Sequence, residues 1–195
     1  MQKLILKTGD ALLVVDVQND FLPGGSLAVP HGGDVVAPLN HCLALFAEKK
    51  LPVYASRDWH TADHISFRAR GGPWPPHCVA NTAGADFAAN LALPPGAVII
   101  SKADTRDRDA YSAFGGTDLD RRLKDAGVRR LFTGGLATDY CVLNTVRDAL
   151  KLGYEVILFT DAVRAVEAAP GDGERALAEM RRLGARLAVT GDMLP

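Results

Sequence analysis

The sequence predicts an α/β protein in three layers, with a mostly parallel six-stranded sheet between two layers of helices. Short apolar runs rich in β-branched residues alternate with segments whose apolar residues recur at helical spacing. The runs are apolar on both faces, which is typical of strands covered by helices on each side. Because the chain has 195 residues, 48% of them hydrophobic, it can bury one sizeable core, and we expect a single domain over residues 1–195.

Each predicted strand is a short apolar run. The six runs, in chain order, are ALLVV at 11–15, PVYAS at 52–56, AVIIS at 97–101, RLFT at 130–133, EVILFT at 155–160 and RLAVT at 186–190.

Four helices are expected between these strands, because apolar residues recur there every three or four positions. They lie near 35–46, 119–126, 142–150 and 177–183, and glycines at 153 and 184 are typical stop signals after the last two. Residues 59–96 interrupt the alternation. This segment is rich in Gly, Pro, His and Trp and has no periodic pattern, so we expect a long functional loop.

Charge and composition exclude several classes of function. With 22 Lys and Arg against 23 Asp and Glu, the chain has no basic surplus for nucleic acid or an anionic membrane surface. Its longest apolar runs are far below the roughly 20 residues of a membrane-spanning helix. The N-terminus has no secretory pattern, and the three cysteines include no Cys-x-x-Cys pair. We therefore expect a cytoplasmic protein with free thiols and neither nucleic-acid nor membrane partners.

Reactive side chains follow several of the predicted strands. Asp16 comes after the first, Lys102 ends the third and Cys141 follows the fourth, at the start of a helix. In parallel sheets these strand ends share one edge, where ligands bind. A nucleophilic cysteine needs a base and a nearby cation, and a helix start with Lys102 favours its thiolate, although Asp16 opposes it. The alternative is that these are turn residues and a buried thiol, a packing role we expect for Cys42 and Cys78.

A second group of candidates suits a divalent metal ion. Asp58 and His60 are two residues apart at the end of the second strand, so both side chains point to one side, and His77 follows in the long loop. Two imidazoles and a carboxylate suit zinc, iron(II) or manganese. The alternative is that the histidines hydrogen-bond loop backbone. His64 is a weaker candidate, either as a ligand or as support for one.

These residues lie in a set of motifs that resembles a known family. In chain order the motifs are DVQNDF at 16–21, SRDWH at 56–60, WPPHCV at 74–79, SKAD at 101–104, YSAF at 111–114 and GGLATDYCV at 134–142. Together they resemble the metal-dependent nicotinamidase branch of the isochorismatase-like cysteine hydrolases, over nearly the whole chain. The resemblance implies the isochorismatase-like hydrolase fold and one divalent metal ion (zinc, iron or manganese). It also implies a catalytic set of Asp16, Lys102 and Cys141 and a ligand set of Asp58, His60 and His77.

The resemblance further implies an activity. Nicotinamide would be hydrolysed to nicotinate and ammonia through a cysteine thioester, in NAD salvage. We expect the backbone N–H groups of Ala137 and Cys141 to stabilise the oxyanion, and the resemblance implies a cis peptide bond between Leu136 and Ala137. Phe21, Trp74 and Tyr111 would wall a flat aromatic pocket.

Two alternatives stay open at this point. One is a related hydrolase acting on another small amide, a carbamoyl compound or a vinyl ether, and the other is a non-catalytic binding or redox module. The sequence is also compatible with a homo-oligomer, and it leaves open which metal is bound and whether pyrazinamide is a substrate.

Overall fold

A computed structural model describes residues 3–194 and contains a six-stranded sheet in which every strand pairing is parallel. The strand order is β3-β2-β1-β4-β5-β6. The strands are β1 (Asp10–Val15), β2 (Val53–Asp58), β3 (Val98–Lys102), β4 (Arg130–Leu136), β5 (Glu155–Arg164) and β6 (Arg186–Ala188). This confirms the predicted six-stranded parallel sheet, although β4 and β5 extend three and four residues beyond the apolar runs that predicted them.

The helices cover both faces of this sheet, as predicted. They are α1 (Val36–Glu48), α2 (Leu119–Asp125), α3 (Leu143–Lys151) and α4 (Asp172–Leu183). On one face, Phe46 of α1 packs edge-on against Phe132 of β4, with ring centroids 5.4 Å apart. On the other face, α2, α3 and α4 bury Leu123, Val146 and Met180 in a second apolar cluster. No helix within residues 3–194 is long and apolar enough to cross a membrane.

The chain reverses its direction of winding at β1. It runs outward from β1 through β2 to β3, then crosses to the other side of β1 to form β4, β5 and β6. Such a switch point opens a crevice beyond the carboxyl ends of the two strands that flank it, here β1 and β4. Gly135 allows these strands to meet, because it has φ +132 and a Cβ there would lie 2.0 Å from the carbonyl oxygen of Val15.

The loop at 59–96 has no strand or α-helix, as predicted, and contains two single-turn 3₁₀ helices, Arg68–Arg70 and Ala83–Ala85, besides turns and isolated bridges. A bridge pairs His60 with Val79, and a second pairs Phe67 with Trp74. Its later part buries Ala85, Ala88 and Leu91 in the same apolar cluster as α1. The loop therefore returns to the carboxyl end of β2, which brings the separated histidines of the sequence to one place.

Candidate active site

Lys102 is the point at which the three predicted catalytic residues meet. It is the last residue of β3, and only 1% of it is exposed. Its Nζ lies 2.9 Å from Oδ2 of Asp16, and it donates hydrogen bonds to Sγ of Cys141 at 3.4 Å and to the carbonyl of Ala110 at 3.2 Å. Residues from the ends of β1 and β3 and from the turn after β4 thus converge at the sheet edge that the sequence predicted.

Asp16 is fully buried beside this ammonium. It directly follows β1 with a left-handed backbone, φ 49, and its Oδ1 accepts a hydrogen bond of 2.6 Å from the hydroxyl of Ser56. Burial raises the pKa of Asp16, and the opposing charge of Lys102 does not fully offset that effect. A carboxylate with a raised pKa is a stronger base, and one of its oxygens lies within 4.8 Å of Sγ of Cys141.

Cys141 lies in a single turn of π-helix, Thr138–Val142, that joins β4 to α3. Burial raises the pKa of its thiol well above the ordinary value; Lys102 acts in the opposite direction, while Asp16 and Asp58 raise the pKa further. Lys102 thus favours the thiolate, as expected, but its effect and that of the helix start do not make the thiolate the prevailing form, because the net pKa of the thiol is raised. Desolvation and two carboxylates outweigh one cation, so the thiol keeps its proton until a base accepts it.

Asp58, His60 and His77 form a compact donor set. Nε2 of each histidine lies 4.0 Å from Oδ2 of Asp58, and the three donor atoms are all within 4.8 Å of one another. Nδ1 of His60 bonds the carbonyl of His77 at 2.9 Å, and Nδ1 of His77 bonds the carbonyl of Pro75 at 2.8 Å. A carbonyl accepts only from N–H, so Nε2 carries the lone pair in both rings.

The charges of this set also fit a divalent ion. Burial lowers the pKa of His60 to about 4 and also lowers the pKa of His77, which leaves both imidazoles neutral at neutral pH, the form that binds metals. Burial alone would raise the pKa of Asp58. Lys102 and His60 together lower it by more than burial raises it, so the net pKa is lowered and the carboxylate stays ionised. Two neutral imidazoles and one carboxylate leave coordination positions free.

His64 lies beside this set, and it also forms a second possible donor group with His60 and Asp109. Its Nδ1 bonds the hydroxyl of Ser66 at 2.8 Å and its Nε2 bonds the carbonyl of Arg108 at 3.0 Å, so both ring nitrogens are engaged. Its ring stacks on that of His60, with centroids 4.3 Å apart and planes 20° apart.

Gln18 is a site residue that sequence reasoning missed. Its Oε1 accepts a hydrogen bond from the backbone N–H of Asp58 at 2.8 Å, and its Nε2 donates to the carbonyls of Asp58 at 2.8 Å and Ala85 at 2.9 Å. The side chain is completely buried. Gln18 therefore fixes the main chain of a candidate metal ligand, and the available signal was an amide in DVQNDF directly after a buried strand.

An aromatic pocket opens above Cys141. Phe21, Trp74 and Tyr111 line it, and Nε1 of Trp74 donates a 3.0 Å hydrogen bond to the hydroxyl of Tyr111. Tyr140 also lines the pocket, with its ring centroid 5.0 Å from that of Trp74. The remaining lining residues are Leu27, Asp58, His77, Ala137, Cys141 and Val166. Sequence reasoning missed Leu27, Tyr140 and Val166, although Tyr140 directly precedes the predicted nucleophile.

Ala137 lies in the pocket wall at the start of the turn that carries Cys141. The peptide bond between Leu136 and Ala137 is cis, as the resemblance implied. The carbonyl of Ala137 accepts hydrogen bonds from the N–H groups of Tyr140 and Val142, at 3.1 and 3.0 Å. These bonds fix the orientation of the turn relative to the end of β4.

The strand order and the residues at its switch point define an α/β protein with the isochorismatase-like fold. A family model described as Isochorismatase domain matches residues 10–192, and the chain belongs to this family. It is 40% identical to a nicotinamidase of Escherichia coli, over 93% of this chain and 95% of that protein.

Two solved structures are similar over almost their entire length. A pyrazinamidase of Pyrococcus horikoshii in complex with zinc matches with a TM-score of 0.89 and 51% identity, over 93% of this chain and 99% of that one. PnC1 of L. infantum in complex with nicotinate matches with a TM-score of 0.88 and 36% identity, over 100% of this chain and 99% of that one.

Proposed function

We propose that the protein is a metal-dependent amidase that hydrolyses nicotinamide to nicotinate and ammonia through a cysteine thioester, as a step of NAD salvage. The observation that carries the proposal is the meeting of Asp16, Lys102 and Cys141 below an aromatic pocket, next to a carboxylate and two histidines. The similarity to a nicotinamidase of Escherichia coli and to a structure in complex with nicotinate supports the choice of substrate.

The proposed first half of the reaction starts from a protonated thiol. Sγ of Cys141 attacks the carboxamide carbon while Asp16 accepts the thiol proton, and the ammonium of Lys102 stabilises the negative charge that develops. The backbone N–H groups of Ala137 and Cys141 donate to the oxyanion of the tetrahedral intermediate. When the C–N bond breaks, Asp16 returns its proton to the departing ammonia and a thioester remains.

The second half restores the enzyme. Asp16 accepts a proton from water, whose oxygen attacks the thioester carbon, and the C–S bond breaks to give the carboxylic acid product. The proton then returns to the sulfur of Cys141. Because Asp16 has a raised pKa and lies beside both the ammonium and the sulfur, one carboxylate can serve both halves.

The donor set would hold a divalent ion next to this apparatus. Asp58, His60 and His77 present two neutral imidazoles and a carboxylate, which fit zinc, iron(II) or manganese. When bound, such an ion supplies an open coordination position that suits the nitrogen of a pyridine ring. The rings of Phe21 and Trp74 would hold that ring in the plane required for attack.

The test is ammonia release from nicotinamide by the wild-type protein and by Cys141→Ala. The same preparations are also offered N-carbamoyl amides and isochorismate. We expect release from nicotinamide by the wild-type protein alone. Turnover of a carbamoyl compound or a vinyl ether with none of nicotinamide would overturn the proposed substrate, and equal release by the two proteins would overturn the nucleophile.

A further inference from the structure

Asp139 joins the turn that carries the predicted nucleophile to the loop at 165–171, between β5 and α4. Its Oδ1 accepts a hydrogen bond from the backbone N–H of Val166 at 2.9 Å, and its Oδ2 accepts one from the N–H of Glu167 at 3.0 Å. Asp139 lies two residues before Cys141, in the same π-helical turn. One carboxylate thus fixes two consecutive amides of a segment that is distant in sequence.

The loop brings one apolar side chain to the pocket. Val166 is half-buried, packs against the apolar cluster that contains α1, and lines the pocket together with Cys141 and Ala137. The proposed mechanism has no role for it. Because it is aliphatic and faces a site built for a flat ring, its position determines how much room the ring has on that side.

The far half of the loop is fixed separately. Glu167 has a left-handed backbone, φ 56, and its carboxylate accepts hydrogen bonds from the N–H groups of Gly171 at 2.7 Å and Gly173 at 2.9 Å. Asp172, the first residue of α4, accepts a bond from the N–H of Ala169 at 2.7 Å. These contacts hold the loop to α4, whereas Asp139 holds its pocket end to the nucleophile turn.

We infer that Asp139 is a positioning residue that holds Val166 against the pocket, and that this contact sets the largest aromatic carboxamide the site admits. The inference rests on the proposed function for its substrate class, which is pyridine carboxamides that carry no substituent on the edge facing Val166. Asp139 does not touch the reacting atoms and acts through the position of one side chain.

Two substitutions test separately the hydrogen bonds of Asp139 and the side chain of Val166. Asp139→Asn keeps the size of the side chain but replaces one acceptor oxygen with an NH₂ group, which cannot accept from the N–H of Val166 or Glu167. Val166→Ala widens the pocket directly and leaves both hydrogen bonds in place. Asp118→Asn is the control, since Asp118 is an exposed carboxylate next to Arg121 and Arg122.

The first measurement does not depend on the substrate. Cys141 is alkylated with iodoacetamide and with the bulkier N-phenylmaleimide, and mass spectrometry gives the two rates at this residue. We expect Val166→Ala and Asp139→Asn to raise the ratio of the bulky to the small reagent at least about tenfold, the discrimination that a methylene or two produces in an apolar pocket. Asp118→Asn should leave the ratio unchanged.

The second measurement uses turnover. The kcat/KM of ring-methylated nicotinamides relative to nicotinamide should rise in Val166→Ala and in Asp139→Asn for the same methyl position. Hydrogen exchange should become faster at residues 165–169 in Asp139→Asn only. A role confined to stability would lower the Tm of Asp139→Asn and leave both ratios unchanged. Should this variant fail to fold, Asp139→Glu, which moves both acceptors by one methylene, takes its place.

The outcomes distinguish the inference from the proposed function. Unchanged ratios in both variants would show that this loop does not limit the pocket. If the ratios change in Val166→Ala but not in Asp139→Asn, Asp139 does not position Val166. If the wild-type protein releases no ammonia from nicotinamide while the alkylation ratio shifts in both variants, the proposed function fails and the role of Asp139 stands.

Discussion

Asp58 bridges the two predicted groups of site residues through its contact with Lys102. One carboxylate oxygen contacts the ammonium of Lys102, and the other lies 4.0 Å from Nε2 of both His60 and His77. The sequence predicts two separate sets of residues, one catalytic and one for a metal ion. In the structure they share the carboxylate of Asp58, so a change in the predicted metal set alters the charge next to Cys141.

This shared carboxylate predicts different effects for two substitutions that each remove a proposed metal ligand. Asp58→Asn and His60→Gln should each lose bound zinc on dialysis. In metal-free protein only Asp58→Asn should speed alkylation of Cys141, because the charge of Asp58 raises the pKa of the thiol and its loss frees Lys102 to favour the thiolate. Zinc content and alkylation rate at one pH are the measurements. Equal alkylation rates in the two variants would show that the metal set acts independently of the thiol.

Most of the fold could be predicted from the sequence because local patterns carry it. The run ALLVV forms most of β1, and the periodic residues Leu39, Leu43 and Phe46 lie on the buried face of α1. β6 is shorter than its apolar run, because Thr190 begins a short turn. The N–H and the hydroxyl of Thr190 both donate hydrogen bonds to the carboxylate of Asp161, which holds this turn in place. A hydrogen bond over 29 residues leaves no local pattern.

The missed parts of the site share a physical reason. Gln18 contacts the site through hydrogen bonds to the main chain, and Val166 reaches it through the path of its loop. Neither residue has a side-chain type or a sequence spacing that indicates a catalytic or metal-binding role. The direction of the pKa shift of Cys141 depends on how deeply the thiol is buried and on how many carboxylates surround it. Both are properties of the packed structure. The strand-end rule predicted which residues meet, and it could not predict the balance of their charges.

The proposed role of Cys141 as nucleophile is tested most directly by removing its sulfur. Cys141→Ala should reduce turnover of nicotinamide below about a hundredth of the wild-type rate, because a covalent pathway without its nucleophile does not exist. Folding should be retained, since an alanine fits the space of a small buried thiol. Steady-state kinetics and thermal unfolding are the measurements. A folded variant that retained more than this residual activity would require a mechanism without the thioester.

The raised pKa of the thiol predicts how alkylation of metal-free protein depends on pH. A thiol whose pKa is above the ordinary value of about 8.5 is mostly protonated at neutral pH, so the rate at Cys141 should rise about tenfold per pH unit from about pH 7 to 9 without a plateau. A plateau below about pH 9 would contradict the shift. Cys42 and Cys78 should react more slowly, since both are fully buried and burial raises the pKa of Cys42 to about 12.

The buried amide of Gln18 predicts a coupled loss of stability and metal affinity. Gln18→Glu removes both N–H donors to the carbonyls of Asp58 and Ala85, and unsatisfied buried groups cost about 1 to 3 kcal/mol each. We expect the free energy of unfolding to fall by about 2 kcal/mol or more and zinc affinity to fall about tenfold or more. Urea unfolding and zinc titration measure the two effects.

Asn40 provides a matched control for that substitution. Its side-chain amide makes the same kind of two-way contact with backbone, donating to the carbonyl of Asn90 and accepting from the N–H of Ala92, each at 2.8 Å, but Asn40 is half-buried and these bonds are exposed to solvent. Water can replace these partners, so Asn40→Asp should cost less than about 1 kcal/mol and leave zinc affinity unchanged. Similar losses in the two variants would mean that burial of Gln18 contributes nothing specific to the metal set.

The last prediction concerns what the metal ion does for the proposed reaction. In the proposed mechanism Cys141 supplies the thiol, Asp16 the base, and the N–H groups of Ala137 and Cys141 the oxyanion donors, so the carboxamide needs no second electrophile. Asp58, His60 and His77 would instead hold the ion next to the pocket, where its open coordination position would suit the ring nitrogen and so orient the carboxamide. Benzamide has the same carboxamide and ring shape without that nitrogen, so we expect its kcat/KM to be lower by about a hundredfold or more.

Removing the metal should reduce turnover of nicotinamide strongly and turnover of benzamide little. The comparison is steady-state kinetics on both amides with metal-replete and metal-free protein. Equal efficiency on the two amides with metal present, or undiminished nicotinamide turnover without it, would reject this role and favour a purely structural one for the two histidines.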